Sequence, residues 1–140
     1  MKQVIFFTHT YEMEVPFFDI DMLKIVWHGH YVKYFETARC SMLEALNYNY
    51  LDMRDDGYVW PIVDVRAKFI HSAVFGQKLL ITCDIVEYEN RLKINYIIKD
   101  KITNKILTKG YTVQLAVNIK TMEAYFVTPS VWQEIIKGIK

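Results

Sequence analysis

Several large protein classes are excluded by what this chain lacks. Its two cysteines, Cys40 and Cys83, stand far apart, which gives no disulfide framework and reads as two reduced, packed thiols. Net charge is +1 and the 17 Lys and Arg residues form no basic run, so nothing steers the chain toward a nucleic-acid backbone. The opening Met1-Lys2-Gln3-Val4-Ile5-Phe6-Phe7 ends at Thr8-His9-Thr10, too short for a signal-peptide core or a membrane span. The five glycines show no phosphate-loop spacing, and there is no repeat, linker or low-complexity tract. What is abundant is apolar and aromatic: 52% hydrophobic residues, with ten Tyr and eight Phe. That composition excludes disorder and favours a densely packed, β-rich fold. Residues 1–140 read as one domain large enough to bury a proper core, with the cytoplasm as the expected setting.

Periodicity organises the chain. Residues 11–17 alternate polar and apolar, as in a half-buried first strand. From about residue 30, Tyr31, Tyr34, Phe35, Ala38, Met42, Ala45 and Leu46 form a helical stripe, with Lys33, Glu36, Arg39 and Glu44 mostly off it. Asn47-Tyr48-Asn49 ends that helix and Asp55-Asp56-Gly57 turns. The second half alternates with period two in four runs: Val63 to Phe69, Leu79 to Ile85, Leu92 to Ile98, and Leu107 through Tyr111, Val113, Leu115 and Val117. Hairpin-length turns fall at residues 88–91 and 100–105, with Asn104 suited to a left-handed conformation. Thr128 is placed to cap a short helix beginning at Pro129 and carrying Trp132, Ile135 and Ile136. Strand, long helix, then antiparallel strands is the pattern of an α+β hotdog fold, one curled sheet around one central helix.

The chemistry concentrates in Asp19-Ile20-Asp21 and Ile25-Val26-Trp27-His28-Gly29-His30-Tyr31. Two carboxylates and two imidazoles stand in a loop that opens a helix, where unpaired N–H donors and the positive dipole end can hold a developing negative charge. A carboxylate beside an oxyanion-binding helix end is the minimum equipment for acyl transfer. Asp19 reads as the turn or cap residue that steadies the loop, and His30 as structural. The Asp-x-Asp and His-x-His spacings match no zinc or calcium loop, so no metal is expected. Cys40 lies beside the buried helix stripe and is a poor nucleophile candidate.

This block, with Tyr31-Val32-Lys33-Tyr34-Phe35-Glu36-Thr37-Ala38-Arg39 and more weakly Ala73-Val74-Phe75-Gly76-Gln77, resembles the 4-hydroxybenzoyl-CoA thioesterase-like hotdog family, particularly its short bacterial acyl-CoA thioesterases. The resemblance implies that Asp21 is the catalytic carboxylate, that His28 assists it, and that a backbone N–H near His28 polarises the thioester carbonyl. It sets Phe17 and Trp27 against the substrate, an acyl-CoA or acyl carrier protein thioester, with no cofactor. Met22-Leu23-Lys24 stand where the family has small residues and glycine, and Phe17 where some relatives have Tyr. The rival expectation is a non-hydrolytic hotdog module that binds an acyl chain or carrier protein. The family arrangement also implies a homodimer or homotetramer joined through strand edges, with Tyr58, Trp60, Tyr125 and Phe126 as candidates for the buried contact.

Overall fold

The computed structural model describes residues 3–139. Its framework is a five-stranded antiparallel sheet in the order β1-β4-β5-β6-β3, made of Phe7–Glu14 (β1), Ile62–Phe69 (β3), Lys78–Glu87 (β4), Leu92–Asp100 (β5) and Ile106–Gln114 (β6). Helix α1 (His30–Ala45) packs across β1 and β4. Period-two alternation puts Leu79, Ile81, Cys83 and Ile85 of β4 and Leu92, Ile94, Tyr96 and Ile98 of β5 on the face that meets Tyr34, Phe35, Ala38 and Met42. The Phe35 and Tyr96 rings stack at 4.4 Å, the kind of pair that adds about 0.5–1.5 kcal/mol beyond burial. Opposite it, β6 must carry no side chain at Gly110: a Cβ there would stand 2.2 Å from the Arg66 carbonyl oxygen and 2.7 Å from the Phe35 ring. This is the hotdog architecture, and no helix among the described residues is long and apolar enough to cross a membrane.

The details depart from the periodicity in instructive ways. The first strand is Phe7–Glu14, not residues 11–17, so Thr8-His9-Thr10 belongs to it; pairing with Ile85 to Lys78 of β4 overrides the polar interruption. Asn49 nucleates an unforeseen helix α2 (Tyr50–Asp55) through a capping box with Asp52. Strand β6 ends at Gln114, and Val117–Asn118 (β7) turns away to pair with Tyr58–Val59 (β2). The face that β6 presents to α1 is polar, with Thr108, Thr112 and Gln114 buried. They belong with Arg39, which is buried on the helix stripe rather than off it, while Ala45 is exposed. Arg39 Nε donates to Tyr50 Oη at 2.5 Å and Nη1 to Tyr96 Oη at 3.3 Å. Tyr96 in turn shares a hydrogen bond with Thr112, and Gln114 donates to Tyr50 and to the Trp60 carbonyl. Helix α3 (Ser130–Lys137) starts at Pro129 without a side-chain cap; the Thr128 hydroxyl donates to the Tyr88 and Glu89 carbonyls instead, pinning α3 to the β4–β5 turn. Cys83 is buried and Cys40 is exposed, and both are free thiols.

Candidate active site

The segment between β1 and α1 is folded by its own backbone. Pro16 leads into a single 3-10 turn at Phe17–Asp19. Ile20 then bridges Val26 in antiparallel fashion, and the chain between them closes in a four-residue turn: Lys24 N–H donates to the Asp21 carbonyl at 3.0 Å and Asp21 N–H to the Ile25 carbonyl at 2.9 Å. The Asp21 carboxylate supports this turn, with Oδ1 accepting the Leu23 N–H at 2.8 Å. Lys24 takes the left-handed conformation, φ 65°, within the Met22-Leu23-Lys24 segment that stands where the resembled family has small residues and glycine. Val26 N–H donates to the Ala73 carbonyl, and Ala73 N–H donates to the Tyr31 hydroxyl, so the loop, α1 and the segment after β3 are laced together.

The two carboxylates are in contrasting environments, with parts of their expected roles exchanged. Asp21, half-buried at the rim, makes the local turn contact expected of Asp19. Asp19 is 2% exposed and acts across elements: it accepts from Lys33 Nζ at 2.7 Å and from the Tyr34 hydroxyl at 2.6 Å, with His30 Nε2 3.7 Å away. Burial pushes the Asp19 carboxyl up, but these two hydrogen bonds and the Lys33 and His30 charges outweigh it and hold the group below its ordinary range. Burial, with the Asp19 charge beside it, pushes the Tyr34 phenol up, so it stays a donor. The Tyr31 hydroxyl is also raised, first by burial, while the Ala73 N–H works against this and the Asp21 charge adds to it.

The helix start completes the arrangement. His30 N–H bonds back to the Trp27 carbonyl and Tyr31 N–H to the His28 carbonyl, while the N–H groups of His28 and Gly29 carry no partner among the described residues. The Trp27 ring lies over Gly29, where a Cβ would come within 2.2 Å of it, and meets the His28 and His30 rings at 5.0 and 5.4 Å. The His28 ring faces Phe69 at the end of β3. Phe17 packs edge-on against Phe75 rather than against Trp27, so the two residues expected at the substrate stand in separate aromatic pairs. No hydrogen bond or ion pair joins Asp21 to His28 among the described residues, and no three His, Cys, Asp or Glu side chains converge there as a metal site would need.

Reasoning from the sequence missed Lys33 and Tyr34 as the holders of Asp19, and the Tyr31 hydroxyl as the tie to Ala73. A usable signal was present: a buried tyrosine must place its hydroxyl on a partner, and both tyrosines lie in the first turns of the helix beside the loop. Around the loop Phe17, Phe18, Met22, Leu23, Trp27 and Phe75 are exposed, a dense apolar rim for a monomer surface.

Residues 15–134 match the model of the thioesterase-like superfamily. YneP of Bacillus subtilis, provisionally named an acyl-CoA thioesterase, is 27% identical over 77 residues, which cover 55% of this chain and only 56% of that protein. Among solved structures, a 1,4-dihydroxy-2-naphthoyl-CoA thioesterase from Synechocystis superposes with a TM-score of 0.86 at 22% identity, over 94% of this chain and 97% of that one. A 4-hydroxybenzoyl-CoA thioesterase variant, solved with 4-hydroxybenzoyl-CoA, superposes with a TM-score of 0.81 at 16% identity, over 92% and 98% of the two chains. With six-sevenths of its length inside the family model and this fold beneath it, the chain belongs to the thioesterase-like hotdog superfamily.

Proposed function

We propose that the protein hydrolyses an acyl-CoA thioester to a free acid and a thiol. One observation carries this reading: at the start of α1 the N–H groups of His28 and Gly29 have no partner among the described residues, and the Asp21 carboxylate is fixed in a tight turn of the segment that leads into that helix. A thioester carbonyl accepting from those donors develops its negative charge where the helix dipole favours it; removal of one such donor typically costs on the order of a hundred- to a thousandfold in rate. Asp21 supplies the carboxylate, either activating a water or attacking the carbonyl carbon itself. The thiolate of coenzyme A is a good leaving group, so no strong general acid is required. The His28 imidazole, held between Trp27 and Phe69, orients substrate. Two unpaired thiols suit a reducing cytoplasm. Free-thiol release from a panel of acyl-CoA substrates tests the reading; binding without turnover across the panel would favour the non-hydrolytic module. Single turnover in ¹⁸O-water identifies Asp21 as the nucleophile if label enters its carboxylate, because only water attack on an acyl–Asp21 anhydride at the Asp21 carbon puts it there.

The working unit in this reading is at least a homodimer formed through β3. That edge strand exposes both faces, with Ile62, Val63, Val65 and Phe69 open to solvent, whereas the other edge, β1, alternates between half-buried and exposed residues. A long apolar edge with unpaired backbone groups is what a second copy covers. Of the aromatic residues expected at this contact, Trp60 is buried in the protein's own core and Tyr58 packs on Tyr125; only Phe126 is freely exposed. Light scattering should give a mass of two or four chains, and full activity at the 16.7 kDa monomer mass would overturn the dimeric unit.

A further inference from the structure

On the sheet face turned away from α1, strands β3 and β6 hold a cleft of about 280 Å³ lined by Arg66, Lys68, Lys109, Gly110 and Tyr111. The strand period fixes this placement: Ala67 packs toward the core and Phe69 meets Tyr31, so Arg66 and Lys68 point to the opposite face. The register places Lys68 directly opposite Lys109, and Arg66 directly opposite Tyr111. Like charges in a direct cross-strand pair repel and destabilise the sheet. Here the repulsion is unrelieved, because Arg66, Lys68 and Lys109 have no carboxylate within ion-pair distance among the described residues. A fourth cation joins them: Lys93 Nζ lies 4.6 Å from the centre of the Tyr111 ring. The nearby carboxylate, Asp64, accepts the Tyr111 hydroxyl at 3.2 Å. In a chain of net charge +1, three cations thus line one cleft and a fourth lies over its tyrosine, a local excess of positive charge that favours an anionic ligand.

We propose that this cleft binds clustered phosphate groups, of the kind carried by the 3′-phosphate and diphosphate of a coenzyme A ligand. A bidentate guanidinium and two ammonium groups suit tetrahedral oxyanions, and the exposed tyrosine offers a surface for a base ring. Lys68 of the cleft is followed directly in β3 by Phe69, whose ring faces His28. Assigning the phosphates to the thioester substrate rests on the acyl-CoA reading above; the presence of the site does not.

The test uses the parent protein, a Lys68→Gln/Lys109→Gln variant, and a control Lys120→Gln/Lys137→Gln variant with the same loss of charge at distant exposed positions. Coenzyme A, adenosine 3′,5′-bisphosphate, pyrophosphate and unphosphorylated adenosine are titrated calorimetrically. Coenzyme A and the bisphosphate should bind the cleft variant about tenfold or more weakly, the scale of a lost charge-assisted hydrogen bond, while the control binds as the parent does. Pyrophosphate should raise the melting temperature of the parent and not of the cleft variant, and adenosine should bind neither. Turnover of a phosphate-free acyl N-acetylcysteamine thioester should be unchanged in the cleft variant, and KM for acyl-CoA should rise. Equal coenzyme A binding by parent and cleft variant, or equal weakening in the control, overturns the site. Unchanged KM for acyl-CoA with bisphosphate binding lost overturns the assignment to the substrate. If no thioester is hydrolysed by any form but coenzyme A binding still depends on Lys68 and Lys109, the hydrolase reading falls and the phosphate site stands.

Discussion

Helix α1 handles polar groups in two places, its start and its middle, and treats them in opposite ways. In the middle, the buried Arg39 guanidinium finds Tyr50 and Tyr96, which are themselves held by Gln114 and Thr112. The two Gln114 amide protons, the Arg39 Nε–H and one Nη1–H are used inside the protein, although the buried Gln114 Oε1 and Thr108 Oγ1 find no partner among the described residues. At the start, among the described residues, two N–H groups have no partner, and Asp21 spends one oxygen on its own turn while the other bonds nothing. Polar groups satisfied internally stabilise the fold, whereas polar groups left over and facing a rim are available to a ligand. Substitutions at the two places should therefore separate activity from stability.

The largest effect is expected at Asp21. Asp21→Asn preserves size and can still accept the Leu23 N–H, so the turn survives, while the carboxylate needed for water activation or attack is gone. Steady-state turnover of acyl-CoA should fall by about a hundredfold or more, the scale of a lost acid–base group, at an unchanged melting temperature. Near-normal turnover by the purified variant would remove Asp21 from the chemistry. The converse experiment is Tyr50→Phe with Tyr96→Phe, which leaves the Arg39 charge buried without its two hydroxyl acceptors. Stripping partners from a buried charge typically costs about 3–5 kcal/mol, so chemical denaturation should show a loss of that order, with turnover per folded molecule within a few-fold of the parent. A large fall in turnover with intact stability would mean the two places are coupled.

Asp19 lies between the two behaviours, being buried like Arg39 yet part of the loop. Its folded carboxyl sits below the ordinary value of 3.8, so the unfolded chain takes up the proton first. The stability it contributes is present in full above that ordinary value and is lost as pH falls through the folded one. Melting curves from about pH 6 down to about pH 3 should show the parent losing stability toward acid, and Asp19→Asn, already less stable at neutral pH, losing less of it. Turnover of Asp19→Asn should fall far less than that of Asp21→Asn. Parallel acid profiles for parent and variant would show that the carboxylate is not the linked group.

The sequence allowed the order of the main strands and of helices α1 and α3, the start of α1 near residue 30 and the left-handed Asn104 to be read directly, because each rests on local periodicity or backbone preference. It did not reveal the Arg39 cluster or the polar inward face of β6, since alternation cannot tell which of two faces is buried when both carry apolar residues. The site loop was legible as a block and not in detail. Which of two carboxylates two residues apart turns inward depends on Lys33 and Tyr34, fourteen and fifteen residues from Asp19, and such pairings are set by tertiary packing.

The smallest and sharpest test is at Lys24. Its φ of 65° costs a side-chain-bearing residue about 1 kcal/mol or more, a strain that glycine does not bear. Glycine in turn gives the unfolded chain additional freedom, which takes back about 0.4–1 kcal/mol. Lys24→Gly should therefore change stability by no more than about 1 kcal/mol, in the stabilising direction, as read by urea denaturation. The turn at Asp21–Lys24 is made by backbone groups and the Asp21 carboxylate, with no contribution from the Lys24 side chain, so turnover of the variant should stay within about twofold of the parent. A tenfold loss in turnover at equal or greater stability would show instead that the ammonium group takes part in holding the substrate, and that the loop start of α1 keeps cations as well as N–H donors in reserve for it.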